Sequence, residues 1–298
     1  MADNIVNCWP NRLNEATLIN VTGTYNSEWP LAYIKDPVIQ AVAKTTSTSN
    51  IIIGIDLPVV RPIGVIALIN HNLSVSAEWK VSAWRDNTKT VLRNTPTFLK
   101  VWPRLYQSRN LVWGVNNWWM GSIEEEQRVG FTHICTEFLS TNYDVQYLEI
   151  EISDPSNPAG FLELGRIFIG QVIQFTNNPT LGNLSYGYID ETEVTKTLTG
   201  AKYFFQHKKQ RTVNYTISTL DIDEAFGAVY DAWRSQGISG EILHAYSKTP
   251  GLYSYARTFL ANFASLDKIG FVSRNALRYN STDPANLHSA TINLEEII

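Results

Sequence analysis

Apolar residues fall in short runs along this chain, and the runs carry different periods. Ile51-Ile52-Ile53-Gly54-Ile55-Asp56-Leu57 is a β-branched run closed by Pro58, which predicts a strand. Gly64-Val65-Ile66-Ala67-Leu68-Ile69 is apolar at successive positions and predicts a second strand buried on both faces. Glu78-Trp79-Lys80-Val81-Ser82-Ala83-Trp84-Arg85 alternates polar and apolar, the period of a strand with one wet face. Tyr147–Ile152 alternates likewise and stops at the turn Asp154-Pro155-Ser156-Asn157-Pro158-Ala159-Gly160. Phe161–Gly170 follows as a two-strand or bent-strand segment. Short strands punctuated by such turns argue for a β-sandwich.

After Gly170 the character changes. Thr176-Asn177-Asn178-Pro179-Thr180 is polar, contains proline and reads as a boundary. Arg211–Thr219 predicts a strand. Residues 221–236 then read as a helix, with acidic residues in the opening turn, apolar Ile222, Phe226, Val229, Tyr230 and Trp233 at helical spacing, and Gly237 as the C-cap. This helix is expected to lie across a sheet built from Glu241–Ser247, Ser254–Ala264 and His288–Leu294. The expected fold is mainly β, an N-terminal β-sandwich over 1–175 and a C-terminal β-sandwich or barrel over 180–298 with one flanking helix. At 298 residues, two domains also suit the length.

Composition turns this frame toward binding. Charged residues are 17% of the chain, against about 25% in ordinary soluble domains. Nine Trp and 14 Tyr join Asn, Thr and Ser in their place, a mixture suited to subunit contacts or to sugars. The net charge is −4, and the densest basic cluster, His207-Lys208-Lys209-Gln210-Arg211, is too short for a nucleic-acid-binding face. The amino terminus has no basic-then-apolar signal pattern, and no stretch approaches the ~18 apolar residues of a membrane span. Synthesis in a cytoplasm is therefore expected.

The chemistry-bearing residues do not assemble into a catalytic pattern. Cys8 and Cys135 read as buried free thiols. His71, His133, His207, His244 and His288 are dispersed, without the spacing of a metal site, and read as hydrogen-bonded structural groups. Glu124-Glu125-Glu126 is the densest acidic run, but successive residues point apart, so it supplies no facing carboxylate pair and reads as an exposed turn or helix start. No nucleophile elbow or phosphate-cradling glycine loop is present. The chain is thus expected to be no enzyme and to hold no cofactor or metal.

Two segments remain as candidate sites. Trp113, Asn116, Asn117, Trp118 and Trp119 lie within seven positions and suit core packing, a subunit interface or a platform for stacking sugar rings. Asn70, His71 and Asn72 follow an apolar strand and read as a loop at the rim of the sandwich. On the helix, Phe226, Tyr230 and Trp233 are candidates for assembly contacts.

Arg61–Ser74, Ala77–Ala83, Asn116–Trp119, Asp154–Gly160 and Leu164–Gly170 together resemble a family of bacteriophage and prophage tail proteins, over most of residues 20–298. The first half is also similar to galactose-binding-like (discoidin-type) jelly rolls, which implies a jelly-roll β-sandwich over 1–175 that serves for docking. The second half, on the looser pattern of strand, helix and strands, resembles the ring domain of distal tail proteins. The resemblance implies a virion structural protein of the tail tip or baseplate. It implies a symmetric homo-oligomeric ring of three or six copies joining the tail tube to hub or fibres. A carbohydrate-binding, receptor-recognising module that engages a host surface glycan is the alternative it leaves open.

Overall fold

The computed structural model describes residues 4–106, 111–114, 118–119, 121–179, 182–251, 253–272 and 287–298. The fold is mainly β, and every strand pairing among the described residues is antiparallel. The first stretch carries β1 (Val6–Cys8), β2 (Thr17–Thr22), β3 (Ala43–Lys44), β4 (Ile51–His71), β5 (Glu78–Trp84) and β6 (Leu99–Lys100). A one-turn helix α1 (Glu125–Arg128) leads into β7 (Ile134–Ser153), β8 (Glu163–Gly170) and β9 (Val172–Gln174). Next come β10 (Leu184–Ile189), β11 (Glu193–Lys196), β12 (Lys202–Phe205) and β13 (Gln210–Leu220). A π-wound helix Asp223–Tyr230 runs on as α2 (Asp231–Gln236), before β14 (Ile242–Ala245), α3 (Ser254–Arg257), β15 (Thr258–Ser265), β16 (Gly270–Phe271) and β17 (His288–Glu296).

The jelly-roll part has the strand order β3-β8-β4-β7-β5-β6, with β2 also on β4. Its two layers are made by long strands that turn corners. Pro58 does not end the first predicted strand: β4 runs through it for 21 residues. Proline is tolerated because the ladder to β7 skips from Asp56 to Arg61, leaving Pro58 in a bulge where no backbone donor is required. A second irregularity, between Ile63 and Val65, places the extra residues on β7 instead. Each strand thereby bends, and the sheet folds over its own core. Ile51, Ile53 and Ile55 fill that core from the first half of β4, with Ile66 and Leu68 from the second.

The opposite side of that second half is buried too. Val65, Ala67 and Ile69, with Phe168 of β8, form a separate core with Val6 and Cys8 of β1, Leu243 of β14 and Leu260 of β15. This explains why residues 64–69 are apolar at successive positions: one face looks into the jelly roll, the other onto a second sheet.

That second sheet has the order β10-β13-β17-β15-β14-β1-β9, with β16 also on β17. Its inner face packs on the jelly roll, and its outer face carries the helix. Ala225, Val229, Ala232 and Trp233 are buried against Tyr215, Ile217, Phe259 and Ile292. The helix start is closed reciprocally, as in a capping box: the Glu224 N–H donates to Asp221 Oδ1 at 2.7 Å and the Asp221 N–H to Glu224 Oε2 at 3.4 Å. Gly237 ends it with φ +56, a conformation open to glycine. Of the three predicted assembly residues, Trp233 is buried under the helix, whereas Phe226 and Tyr230 face solvent. The predicted strand Ser254–Ala264 is divided: its first four residues form α3, and pairing with β14 begins at Thr258.

The two parts interlock in sequence. β1 and β9 lie within 1–175, yet both are strands of the second sheet, extending it beyond β14 with β9 at the edge. The hairpin β11–β12 stands apart as a two-stranded ribbon, exposed at all eight positions.

Candidate functional site

The turns at one end of β4, β7 and β8 meet in a rim, and side chains there fix it from behind. Asn70 sits at φ +56, which Asn tolerates better than most residues, and its Nδ2 donates to the Ile39 carbonyl at 2.7 Å. Asn72 bridges to the neighbouring turn: its Nδ2 donates to the Phe161 carbonyl at 3.0 Å and its Oδ1 accepts the Glu163 N–H at 2.8 Å. Asp154 is fully buried, and its carboxylate accepts the Ser74 N–H at 2.7 Å, the Ser74 hydroxyl at 2.5 Å and Asn157 Nδ2 at 2.9 Å. The Asp154–Gly160 turn is thus a brace for the 72–75 loop.

His71 points inward. Its ring lies 5.8 Å from Trp102 and 5.9 Å from His133, with Trp102 and His133 at 5.4 Å from each other. Burial, with the neighbouring His133 and Arg128, pushes the His71 imidazole down to about 3, so it is neutral at pH 7. His71 Nδ1 accepts the Leu73 N–H at 3.3 Å, while the buried Nε2 has no partner. His133 places one ring nitrogen 3.0 Å from the His71 carbonyl and the other 3.2 Å from the Arg128 carbonyl. Trp102 Nε1 donates to the Leu73 carbonyl at 3.0 Å.

In front of this braced wall opens a cavity of about 550 Å3, lined among others by Asn72, Ser74, Arg128, Phe131, His133 and Pro158. The Arg128 guanidinium lies 5.2 Å from the centre of the Trp102 ring, a stacking distance. A second, smaller cleft of about 190 Å3 lies between the jelly roll and the second sheet, with Trp79, Trp102, Lys248 and Tyr255 among its walls.

The Trp-rich loop springs from a neck where the Leu105 and Tyr106 N–H groups both donate to the Gly121 carbonyl, at 2.8 and 2.9 Å. Trp113 is 71% and Trp119 72% exposed, and Trp118 is half-buried. The Trp113 ring meets Trp118 at 5.1 Å and Trp119 at 5.5 Å, both edge-on. Within this single chain Trp113 and Trp119 are therefore surface side chains rather than core. Asn116 and Asn117 lie outside the described residues. Of the rim-loop residues, Asn72 reaches the cavity wall, while Asn70 and His71 act behind it. Arg128, Phe131 and His133 were not singled out as a site from sequence. They lie 56 or more positions beyond Asn72, and only the β4–β7 pairing brings them together.

Glu124–Glu126 run into α1, and no group of three metal-ligating side chains occurs among the described residues. Among them, too, no helix is long and apolar enough to cross a membrane. Both cysteines are buried free thiols, and burial raises both thiol pKa values.

No family model matches the chain, and no curated protein sequence matches it. Among solved structures, it is similar to a family 32 carbohydrate-binding module from a glycoside hydrolase of Clostridium perfringens. That match has 11% identity and a TM-score of 0.35 over 55% of this chain and 99% of that one. A family 32 module from the same organism, solved with galactose, matches at 13% identity and a TM-score of 0.35, over 57% of this chain and 100% of its own. A fucose-binding module of Streptococcus pneumoniae matches at 10% identity and a TM-score of 0.35, over 54% and 95%.

Proposed function

We propose that this chain is a non-catalytic recognition subunit whose jelly roll binds a saccharide in the rim cavity. The observation that carries this reading is the cavity itself. At about 550 Å3 it falls within the range of small-ligand sites, roughly 300–1,000 Å3. Its lining combines apolar surface from Phe131, Val129 and Pro158 with a guanidinium and backbone groups at Gly130. The hydrogen bonds of its wall are already made within the protein, through Asp154, Asn157 and Asn72, so binding has little ordering to do. The exposed indoles of Trp113 and Trp119 supply a second aromatic surface on the same jelly-roll unit. A panel of immobilised glycans probed with the whole chain tests the reading. Selective binding that Val129→Asp, at an exposed position on the cavity wall, weakens about tenfold or more, with an unchanged melting temperature, supports it. No binding to any glycan removes it.

A second reading, a ring-forming structural subunit of a phage tail tip, is favoured by the β11–β12 hairpin. Tyr203, Phe204 and Phe205 stand 65%, 59% and 68% exposed on a ribbon that is exposed at every position among the described residues. Exposed aromatics in such a group mark a contact surface. Under this reading the second sheet and hairpin assemble three or six copies between the tail tube and hub or fibres. The jelly roll then projects as the docking or host-glycan-recognising surface of the virion. The two readings are compatible, and the second is checked by whether purified particles contain the chain and whether it forms rings in solution.

A further inference from the structure

Arg128 lines the rim cavity with no acid opposite it, unlike the fully buried arginines Arg166 and Arg211 and half-buried Arg61. Arg166 is held by Glu241 at 2.6 Å and Arg211 by Glu296 at 2.5 Å, each pair out of solvent. Arg61 is matched by Glu15 at 2.7 Å. Arg128 forms no ion pair among the described residues, and its Nε is buried without a hydrogen-bond partner. Asp154, behind the same wall, is fully engaged by Ser74 and Asn157 and is not turned to it. A half-buried cation without a counter-charge carries a desolvation cost that an incoming anion relieves.

The geometry around the guanidinium narrows the anion. Its Cζ lies 5.2 Å from the Trp102 ring centre, and a guanidinium presents N–H edges rather than a bare point charge to a ligand. Such a planar fork matches a carboxylate in two parallel hydrogen bonds. Phe131, whose ring packs against Arg211 and Tyr255, adds an apolar wall to the same cavity, of the kind a pyranose ring lies against.

We propose that the rim cavity selects saccharides bearing a carboxylate, with Arg128 as the residue that reads the charge. The assignment rests on the saccharide-binding reading above and adds the class of sugar. The chain's net charge of −4 makes general attraction of anions a poor substitute for such a residue, so selectivity resides at this one position.

The test measures dissociation constants of the whole chain for matched sets of neutral, uronic- or sialic-acid-terminated and sulfated oligosaccharides. The carboxylated members are expected to bind at least about tenfold more tightly than their neutral counterparts, with the advantage shrinking at high salt. R128K keeps a charge and an aliphatic stem but loses the planar fork. It is expected to keep the wild-type melting temperature and to lose most of the carboxylate advantage; R128M removes the advantage altogether. Equal affinity for neutral and carboxylated sugars overturns the role of Arg128 while leaving saccharide binding in place. Sulfated sugars binding as tightly as carboxylated ones, or R128K retaining the full preference, overturns the carboxylate assignment. Absence of binding to every set overturns the saccharide reading itself.

Discussion

His71 and His244 are each pushed down to about 3 by burial, from an ordinary value near 6.5. Folding therefore favours their neutral forms, while the unfolded chain takes up protons once the pH falls below 6.5. The stability they contribute is fully present above that value and is lost progressively down to about pH 3. Each histidine is expected to cost about 2 kcal/mol between pH 6.5 and pH 5. Glu137 works in the opposite sense. Burial raises its carboxyl to about 7, so its contribution is present below pH 4.5 and declines as pH rises through 7. Two histidines against one partly solvated carboxyl leave a net fall on acidification. The measurement is urea unfolding at pH 7.0 and 5.0, and most of the net loss should disappear in His244→Gln, because Glu137 then offsets the one remaining histidine. Reading the histidines from sequence as structural, hydrogen-bonded groups describes His244 well: one ring nitrogen meets Asn7 at 2.9 Å and the other Tyr186 at 3.1 Å. The lack of any partner for His71 Nε2 was not legible, because Trp102 and His133 reach it only through tertiary packing.

Strand β8 shows what periodicity reveals and what it hides. Phe161–Gly170 was legible as strand, read as a two-strand or bent segment, and the structure makes it one strand over Glu163–Gly170 with nearly every position buried. The need for glycine at 165 was not legible, since φ there is ordinary and the demand comes from another segment. A Cβ at 165 would stand 2.3 Å from the Ile39 carbonyl oxygen and 2.9 Å from Asn70 Cβ. Gly165→Ala is therefore expected to cost about 3 kcal/mol, the upper end for overpacking, as read by thermal unfolding. It should also loosen the Asn70–Ile39 bond that backs the rim. The helix behaves differently, because its signals are local. The acidic opening turn, the apolar spacing and Gly237 each fixed a piece of residues 221–236, and the structure places the helix there. Asp221→Ala removes the acceptor for the Glu224 N–H, and a loss of about 1 kcal/mol is expected. The corner in β4 lies between these cases: Pro58 was visible, but only the skipped ladder shows why the strand survives it.

Arg166 ties the jelly roll to the second sheet, and its partners come from three separate stretches of chain. Its guanidinium meets Glu241, just before β14, Asn14 Oδ1 and the Ile34 carbonyl, while Asn11 donates to the same Glu241. Around this network lies the core shared by β1, β4, β8, β14 and β15. A charged residue inside an apolar strand signals a buried partner, but nothing in the sequence says that the partner lies 75 positions away in the other half. With β1 and β9 also crossing over, the two halves should unfold in one transition; two separate transitions would show that the shared core does not couple them. Arg166→Met leaves Glu241 buried without its cation and is expected to cost about 3–5 kcal/mol. Removing both charges in Arg166→Met/Glu241→Leu leaves no orphaned ion, so most of that loss should return. A double variant as unstable as the sum of its single variants would mean that Arg166 and Glu241 act independently. The interlock would then rest on apolar contact alone, with Leu243→Ala as the more damaging change at the same seam.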